Sequence, residues 1–576
     1  MKKNKVFIIA SITLLLGAYA CKESFLEVPA TGSLSKAQLT SQAGLEGALI
    51  SAYAQLSGLG AYEAGPSNWV WGSIRGGDAN KGTDPGDFSD INPIQRFEYS
   101  PALPFIAGAY RGYFDGVARA NAALALLKEA DASVKPAEIA RMSAEARFLR
   151  GHFYFQLKRN FNNVPFVDET LNVSNGIEKV KNDVELWPKI EADFKAAYDA
   201  LAETSSAAGR ANKWAAASYL AKTYMYQKKF AEAKALFDII IANGKTTNGK
   251  KYALLPNYSS LYRSANDNNA ESVFAVQATV KSGNGNNANS DLQLNFIQGV
   301  DPGGCCGFFQ PTFEFVNSFR TDANGLPLLD GSYNDAGKAM KNDMGIKSDV
   351  AFTPDADNLD PRIDHTVGRR GIPFMDWGTF TGSNMIRNQP NAGPYTTKKY
   401  MFTKAEKAAG MTETGGWGHQ TYNAYNVTII RFADVLLMAA EAEIEVGTLA
   451  KAMEYTNMVR NRAANASDFV QNGGKDAATY KISPFPLTSF ADKVSARTAV
   501  RFERRMELGM EGYRFYDLVR WGEDVAAINK YLQYDQKLLA GAFGGATYLA
   551  KHAIMPIPQD QIDLIGASIL KQNTGY

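Results

Sequence analysis

The sequence contains few of the residues that most often build catalytic and metal centres. Its 576 residues include only 3 cysteines and 4 histidines. It has no His-Glu-x-x-His, no Cys-x-x-Cys and no Gly-x-x-x-x-Gly-Lys-Ser/Thr sequence, the patterns of zinc proteases, thiolate metal sites and phosphate-binding loops. We therefore predict a protein that is not an enzyme, with no catalytic residue, no metal centre and no cofactor.

Clustered positive charge is also scarce. The formal net charge is +2, and no long basic tract follows the first five residues. We expect no nucleic acid partner, because phosphate binding requires a concentrated positive surface. Hydrophobic residues are plentiful, at 45%, and aromatic residues make up 11% of the chain. This composition predicts a folded protein that has a large core and some aromatic side chains at its surface.

Long hydrophobic runs are absent except at the N-terminus. Lysines at positions 2, 3 and 5 precede an apolar segment, Val6–Leu16, that is too short to span a bilayer. The small residues Ala18 and Ala20 then come just before Cys21. This order predicts a signal peptide at 1–20 and a lipid on Cys21, which alone attaches the mature protein to a membrane. The alternative is an ordinary signal peptide with a cysteine nearby by chance.

Two pairs of segments have the periodicity of packed helices. One pair lies at 213–244 and the other at 430–463, and apolar or small residues recur in both at helical spacing. Further amphipathic stretches lie at 107–130, 136–161 and 184–204. The pairs resemble tetratricopeptide hairpins, but a long segment separates them, so the chain must leave the helical layer and return to it.

The remaining segments are rich in glycine, proline, aspartate and asparagine. The stretch 65–93 has neither helical nor strand period, and 252–425 mixes short strand-like runs with loops. Long irregular segments in a compact protein are usually functional. We therefore predict a mainly α fold, in which a scaffold of tetratricopeptide-like helical hairpins packs against an irregular, loop-rich ligand-binding lobe with short strands.

Five motifs, in the same order along the chain, resemble those of the SusD/RagB family of outer-membrane nutrient-binding lipoproteins. They are CKESFLEVPATGS, EARFLRGHFYFQLKRNFNNVPFV, IIRFADVLLMAAEAEIEVG, RFERRMELGMEGYRFYDLVRWG, and IMPIPQDQI with the terminal QNTGY. The resemblance implies a SusD-like helical region with a binding loop at 21–250 and a SusD/RagB-type region at 251–576. Within the second region we expect the ligand lobe at about 251–426 and the returning helices at 427–576.

The same resemblance implies a function and a location. Such proteins are anchored by lipid at the cell surface of the outer membrane, capture oligo- or polysaccharide, and cover the mouth of a TonB-dependent transporter barrel. The predicted partners are therefore a glycan and that transporter. Two alternatives stay open. One is a lipid-anchored glycoside hydrolase, which would need two carboxylates about 5–10 Å apart, such as Asp78 and Asp376. The other is a helical-repeat module that docks a peptide or protein.

Sugar recognition combines flat aromatic rings with short polar side chains that hydrogen-bond hydroxyl groups, and three stretches offer both. The first contains Trp69 and Trp71, whose alternation predicts a short strand with both indoles on one face. Asp78 and Asn80 follow as candidates for hydrogen bonds to ligand. The alternative is that the tryptophans belong to the core and the polar residues form turns.

The second stretch contains the adjacent residues Cys305 and Cys306 among three glycines. We favour a disulfide between them that forms a rigid ledge at the binding surface, with Phe308 or Phe309 packed behind it. An exported protein meets oxidising conditions, and the glycines give the backbone the freedom that a vicinal disulfide needs. Two free thiols buried as small hydrophobic groups are the alternative.

The third stretch, 364–378, places Arg369, Asp376 and Trp377 among glycine and proline. Both signs of charge beside an indole suit sugar recognition, and Tyr395 and Trp417 in later loops are weaker candidates. The alternative is a surface loop with an internal ion pair.

The sequence also contains two kinds of charged region. The acidic stretches 78–84 and 353–364 leave a structural calcium open, although turns rich in aspartate and asparagine explain both without an ion. The segment 501–509 is predicted to be structural. Its apolar residues pack inward, and its arginines and glutamates decorate the end of a helix without touching ligand.

Overall fold

The computed structural model describes residues 34–60, 62–171, 174 and 176–576. The predicted signal peptide and Cys21 lie outside the described residues, so cleavage and lipid attachment stay predictions. In the part of the chain that is described, each helix is too short or too polar to cross a membrane.

Helices form most of the regular structure, and the longest ones fall into two groups. Those of the N-terminal group are α1 Lys36–Thr40, α2 Gln42–Ala54, α3 Ile91–Gln95, α4 Pro104–Leu127, α5 Pro136–Phe161, α6 Trp187–Ala200, α7 Lys213–Tyr226 and α8 Phe230–Asn243. The lobe contains only short helices, α9 Phe313–Asn317, α10 Ile363–Thr366, α11 Gln389–Ala392 and α12 Lys404–Ala408. Those of the C-terminal group are α13 Phe432–Val446, α14 Leu449–Ala463, α15 Lys493–Leu508, α16 Arg514–Trp521, α17 Asp524–Asp535, α18 Ala540–Phe543 and α19 Gln559–Ile565.

The long helices form one continuous layer. From α4 to α8 each helix packs against the next, and α8 then packs against α13, which is followed by α14 and α15. Ala217 and Ala221 of α7 are fully buried, because small side chains allow close helix contacts. The chain therefore leaves the helical layer after Asn243 and returns to it at Phe432, as the sequence predicts.

The strands are short and pair in five antiparallel two-stranded sheets. The pairs are β1 Ala79–Gly82 with β3 Phe308–Pro311, β2 Ser272–Val276 with β8 Val427–Arg431, β4 Val367–Gly368 with β5 Thr396–Thr397, β6 Thr412–Glu413 with β7 Tyr422–Asn423, and β9 Gln471–Asn472 with β10 Lys475–Asp476. In the first pair Asn80 lies opposite Gln310, and Gly82 opposite Phe308. This pairing joins the first candidate stretch to the end of the cysteine loop.

The prediction of a short strand at Trp69 and Trp71 is wrong. Residues Trp69–Ile74 form a single π-helical segment, in which the N–H of Arg75 donates to the carbonyl of Val70 at 3.3 Å. All six residues are buried. Alternation over three positions does not discriminate between strand and helix, and here packing on several sides stabilises the helical form.

Buried ion pairs tie the lobe to the returning helices. Glu507 of α15 accepts hydrogen bonds from Arg362 of the lobe, Arg431 of β8 and Arg462 of α14. Burial alone would raise the pKa of Glu507, but the three guanidinium groups outweigh it and lower that pKa to about 2. Glu503 and Arg504 are buried too. The segment 501–509 is therefore structural, but the prediction that its charges decorate a helix end is wrong, because partners from distant segments neutralise them inside the protein.

Candidate functional site

The two tryptophans of the first stretch belong to the core, and each is 1% exposed. Trp71 packs against Phe105 with 5.2 Å between ring centres, and its Nε1 donates to the carbonyl of Glu63 at 2.7 Å. Trp69 meets Phe309 edge-on at 5.6 Å. The prediction that these indoles offer stacking faces to a ligand is wrong, because neighbouring side chains already cover them.

Asp78 and Asn80 are internal as well. The carboxylate of Asp78 lies 3.5 Å from the guanidinium of Arg505, and burial raises the pKa of Asp78. The side chain of Asn80 donates to the carbonyl of Ala392 at 3.0 Å and accepts from the N–H of Gly82 at 2.8 Å. The prediction that the two contact ligand is wrong, since both are committed to internal partners. The burial of Asp78 also weakens the hydrolase alternative, because Asp78 is one of the two carboxylates that the sequence suggested for it.

Arg369 and Tyr395 are likewise turned inward. Arg369 holds the carboxylate of Asp364 with two hydrogen bonds, of 2.7 and 2.8 Å. Tyr395 is buried against Phe313, with 5.7 Å between ring centres. The prediction that Arg369 and Tyr395 contact ligand is therefore wrong. For Arg369 the alternative, an internal ion pair, is confirmed.

The adjacent cysteines form a disulfide, as we favoured. Cys305 and Cys306 are 8% and 6% exposed, and Phe308 and Phe309 are both buried next to them. Gly303, Gly304 and Gly307 all have positive φ, from 77° to 87°, a conformation that other residues adopt only with strain. The N–H of Gly307 donates to the carbonyl of Phe296 at 2.8 Å, which anchors the loop to the segment behind it.

Trp377 and Asp376 lie at the surface next to this loop. Asp376 accepts hydrogen bonds from the N–H groups of Lys404, at 2.7 Å, and Ala405, at 3.0 Å, and so caps α12. From α12 the ammonium group of Lys407 lies 5.7 Å from the centre of the half-buried Trp377 ring. The same group pairs with Asp301 in the disulfide loop at 2.8 Å. The second and third predicted stretches therefore meet, while ligand contact by Asp376 and Trp377 stays a prediction.

Arg387 connects the other side of the loop to the turn that follows β1. It forms ion pairs with Asp84, at 2.7 Å, and with Asp87. The N–H of Thr83 donates to the carbonyl of Gly307 at 2.6 Å, and a Cβ added to Gly307 would lie 3.3 Å from the Cβ of Arg387. Sequence reasoning missed these groups. The acidic turn was visible, but nothing local indicates that an arginine 300 residues away faces it.

The hairpin β6–β7 borders the loop on a third side. Its tip carries Trp417, which is 58% exposed, and the exposed His419. A Cβ added to Gly304 would lie 3.4 Å from Nδ1 of His419. We call the surface around the cysteine pair the disulfide surface, which comprises Asp84, Asp87, Asp301, Cys305, Cys306, Trp377, Arg387, Lys407 and His419.

A buried polar segment lies directly behind the disulfide surface. Residues 289–298 include Asn289, Ser290, Asp291 and Asn295, all buried. The N–H of Cys306 donates to the carbonyl of Leu294 at 3.3 Å. Within the described residues neither side-chain amide atom of Asn295 has a hydrogen-bond partner. An unpaired buried amide costs stability.

The acidic stretches that left calcium open are instead paired with arginines. Asp84 pairs with Arg387, and in the second stretch Asp355 and Asp360 pair with Arg320 and Arg362. Among the residues that the structure describes, no group of three or more His, Cys, Asp or Glu side chains is arranged to hold a metal ion.

A helical layer carries a lobe of loops that has an aromatic ring and both signs of charge at its surface, as the resemblance to SusD-type binding proteins implies. A sequence model of the SusD family matches residues 270–576, and a second, described as "Starch-binding associating with outer membrane", matches 99–225. The first match covers just over half of the chain, and the protein belongs to the SusD family.

Several relatives extend this likeness over most of the chain. A SusD-like protein of Bacteroides ovatus is 26% identical over 540 residues, which cover 90% of this chain and 82% of the relative. The starch-binding protein SusD of Bacteroides thetaiotaomicron is 24% identical over 472 residues, or 76% of this chain and 74% of that protein. The structure of surface glycan-binding protein A of B. thetaiotaomicron in complex with laminarihexaose aligns with a TM-score of 0.61 at 19% identity, covering 93% of this chain and all of that one. This last similarity shows a shared fold.

Proposed function

We propose that the protein is a lipid-anchored, cell-surface protein of the outer membrane that captures an oligo- or polysaccharide and delivers it to a TonB-dependent transporter. One observation carries the binding part of this proposal. The Trp377 ring, the Lys407–Asp301 ion pair and the disulfide loop, which come from separate segments, lie together on the lobe.

The chemistry of this surface suits a sugar. The indole of Trp377 is a flat, half-buried ring that can pack against the apolar face of a pyranose. Lys407 and Arg387 supply hydrogen-bond donors, and Asp84, Asp87 and Asp301 supply acceptors. Charged donors and acceptors bind hydroxyl groups more strongly than neutral ones do, and they reject ligands that leave them unpaired.

The comparisons support the same ligand class and location. The relatives include a protein named for starch binding and a structure holding a laminari-oligosaccharide, and both ligands are glucans. The description of the family model that matches 99–225 supports association with the outer membrane. In this proposal residues 21–250 and 427–576 form the scaffold, residues 251–426 form the ligand lobe, and the lipid on Cys21 holds both at the membrane.

Affinity electrophoresis against a panel of polysaccharides, including laminarin and starch, tests the binding function. We expect at least one glycan to retard the protein, and Trp377→Ala to remove the retardation. Arg111→Gln is the matched control, because Arg111 is an exposed residue paired with Asp560 outside the disulfide surface. No retardation by any glycan would contradict the proposal. A release of reducing sugar from the bound glycan would favour the hydrolase alternative.

Lipid attachment is tested separately. Cys21→Ala should move the protein from the membrane fraction to the soluble fraction, since the lipid is the only proposed anchor. Wild-type protein extracted from membranes should begin at a modified Cys21 when it is sequenced by mass spectrometry. An unmodified N-terminus in that material would contradict this part of the proposal and leave the glycan-binding part to its own test.

A further inference from the structure

A cavity of about 260 Å³ opens between α15, α16, α17 and the segments around Glu314 and Tyr333. None of the residues that line it belongs to the disulfide surface. Its charged and hydroxyl-bearing side chains are those of Glu314, Tyr333, Arg501, Arg505, Arg514 and Lys530, together with Glu523, Thr498 and Tyr531. Four basic side chains therefore face two acidic ones.

Both acidic side chains are already paired. Glu314 accepts hydrogen bonds from the guanidinium of Arg505, one of them 3.1 Å long. It also accepts a hydrogen bond of 2.7 Å from the hydroxyl of Tyr333. Burial raises the pKa of Glu314, but the charge of Arg505 outweighs it and keeps that pKa below its usual value. Glu523 pairs with Arg501. Each pair is neutral, so Arg514 and Lys530 are the lining cations that have no ion-pair partner among the described residues, and Arg514 is attracted more weakly by the charges of Asp78 and Glu314.

Arg514 is the unusual residue. Its Nε is buried without a hydrogen-bond partner, and within the described residues its guanidinium forms no hydrogen bond and no ion pair. The guanidinium of Arg514 lies 5.9 Å from the centre of the Trp521 ring, close enough for a cation–π contact. Burial and the neighbouring Arg505 lower the pKa of Arg514. Among the described residues the buried Arg75 is held by Tyr99, Asn160 and the carbonyl of His552, and the other buried arginines have carboxylate partners, as Arg505 does, because an unpaired buried cation is costly.

Two features of the backbone keep the site open. Gly76 has no side chain, and a Cβ added there would lie 2.8 Å from the Cβ of Arg514, so glycine lets the start of α16 approach closely. At the mouth of the cavity Gly331 has a φ of 80°, and a Cβ there would meet the ammonium group of the exposed Lys530. Arg514 and Lys530 therefore each lie next to a glycine, which has no side chain to fill the cavity.

We propose that this cavity binds a small oxyanion between Arg514 and Lys530. A guanidinium presents its N–H groups as a fork that fits the two oxygens of a carboxylate or of a sulfate, and an ammonium group adds a second charge. The volume is below the range of sites for drug-sized ligands, which limits the occupant to an inorganic oxyanion or the carboxylate-bearing unit of an acidic sugar. This site is independent of the glycan site proposed above.

Calorimetric titration of the full chain tests the proposal and separates the two sources. The probes are sulfate and glucuronate, at constant ionic strength, with glucose as the neutral control. We expect saturable binding of one or both anions and none of glucose. Sulfate alone indicates an inorganic oxyanion, and glucuronate indicates an acidic sugar. Arg514→Gln and Lys530→Gln should each weaken binding by about tenfold or more, the effect of losing a charged hydrogen-bond partner.

Three controls keep the test decisive. Arg111→Gln and Trp377→Ala should leave anion binding unchanged, since neither residue lines the cavity. In buffer without oxyanions Arg514→Gln should melt no lower than wild type, because it removes an unpaired cation, whereas Arg505→Gln loses the Glu314 pair and should melt lower. If Arg514→Gln does not fold, the exposed Lys530→Gln decides. No binding of either anion, or binding that both glutamine variants leave unchanged, would overturn the proposal.

Discussion

The ammonium group of Lys407 lies 5.7 Å from the centre of the Trp377 ring. The ring is also held at its edge, because its Nε1 donates to the carbonyl of Phe402 at 2.8 Å. Lys407 in turn is fixed by the Asp301 carboxylate at 2.8 Å. The orientation of the indole is therefore set before a ligand arrives, which lowers the entropy that binding must cost.

Trp377→Ala should lose binding without losing the fold. Removing one aromatic platform is expected to cost about 1–3 kcal/mol of binding free energy, a drop of roughly fivefold to a hundredfold in affinity. The melting temperature should change little, since the ring is half-buried and packs at the surface of the lobe. Calorimetric binding and thermal melting, with a glycan that binds wild type, measure both quantities.

Trp71→Ala is the contrasting variant and should show the reverse pattern. Its fully buried ring leaves a cavity, so we expect a loss of about 3–5 kcal/mol of folding stability and an early melt. Equal early melting of the two variants, or unchanged binding by a well-folded Trp377→Ala protein, would show that the indole of Trp377 is not part of the site.

The cysteine pair should resist alkylation until it is reduced. Peptide mapping after denaturation and alkylation without reductant should find Cys305 and Cys306 unmodified, and prior reduction should make both reactive. Alkylation of both residues in unreduced protein would mean that the thiols are free, and the rigid ledge would then be lost from the disulfide surface.

Glu507→Gln should be one of the most destabilising substitutions in the chain. It removes the negative charge of a carboxylate that three buried arginines share, Arg362, Arg431 and Arg462. Their other partners, Asp360, Glu271, Glu503 and Glu511, remain, so the buried network loses one negative charge. Breaking a buried ion pair in this way costs about 3–5 kcal/mol of folding stability, which chemical denaturation measures.

The matched control is Glu454→Gln, which breaks an exposed pair with Lys451. Pairs of this kind are screened by solvent, so the melting temperature should stay at the wild-type value. If both glutamine variants prove equally stable, the buried ion pairs are not what holds the lobe to the returning helices.

His152 should contribute a loss of folding stability as the pH falls below neutrality. Burial and the charge of Arg159 lower the pKa of His152 from 6.5 to about 3. Between these values the unfolded chain binds a proton that the folded protein does not, so this contribution is fully present above pH 6.5 and decreases as the pH falls. From pH 6.5 to 4.5 the loss amounts to about 2–3 kcal/mol.

His152→Gln removes the titrating group. The free energy of unfolding, measured by denaturant titration at pH 7.5 and 4.5, should change on acidification by about 2–3 kcal/mol less unfavourably in the variant than in wild type. At pH 7.5 the variant should be somewhat less stable, because Nδ1 of His152 shares a 2.6 Å hydrogen bond with Tyr219. Parallel pH profiles of the two proteins would contradict the prediction.

The helical layer could be predicted from the sequence because its signals are local. The amphipathic stretch at 136–161 coincides with α5, which begins at a proline in its first turn, and the hairpins α7–α8 and α13–α14 lie where the periodicity places them. The cysteine pair with its glycines was also correctly interpreted. Each of these features depends on residues a few positions apart.

The candidate site could be predicted only in part. Trp71 and Trp377 have nearly the same local setting, an indole among glycines with arginine and aspartate close by, yet one is buried and the other half-exposed. The difference comes from residues distant in sequence, since Phe105 covers Trp71 whereas Trp377 meets Phe402 edge-on and stays half-exposed. No local pattern carries that information.

The sequence by itself therefore determined the family, the helical scaffold and the disulfide, because turn chemistry and helical periodicity act between near neighbours. Only the tertiary structure decided which aromatic rings are covered and which arginines pair with carboxylates. Burial and charge pairing are set by segments that meet across the fold, as Arg387 meets Asp84 and Arg431 meets Glu507. Their energies depend on distance in space rather than on separation along the chain.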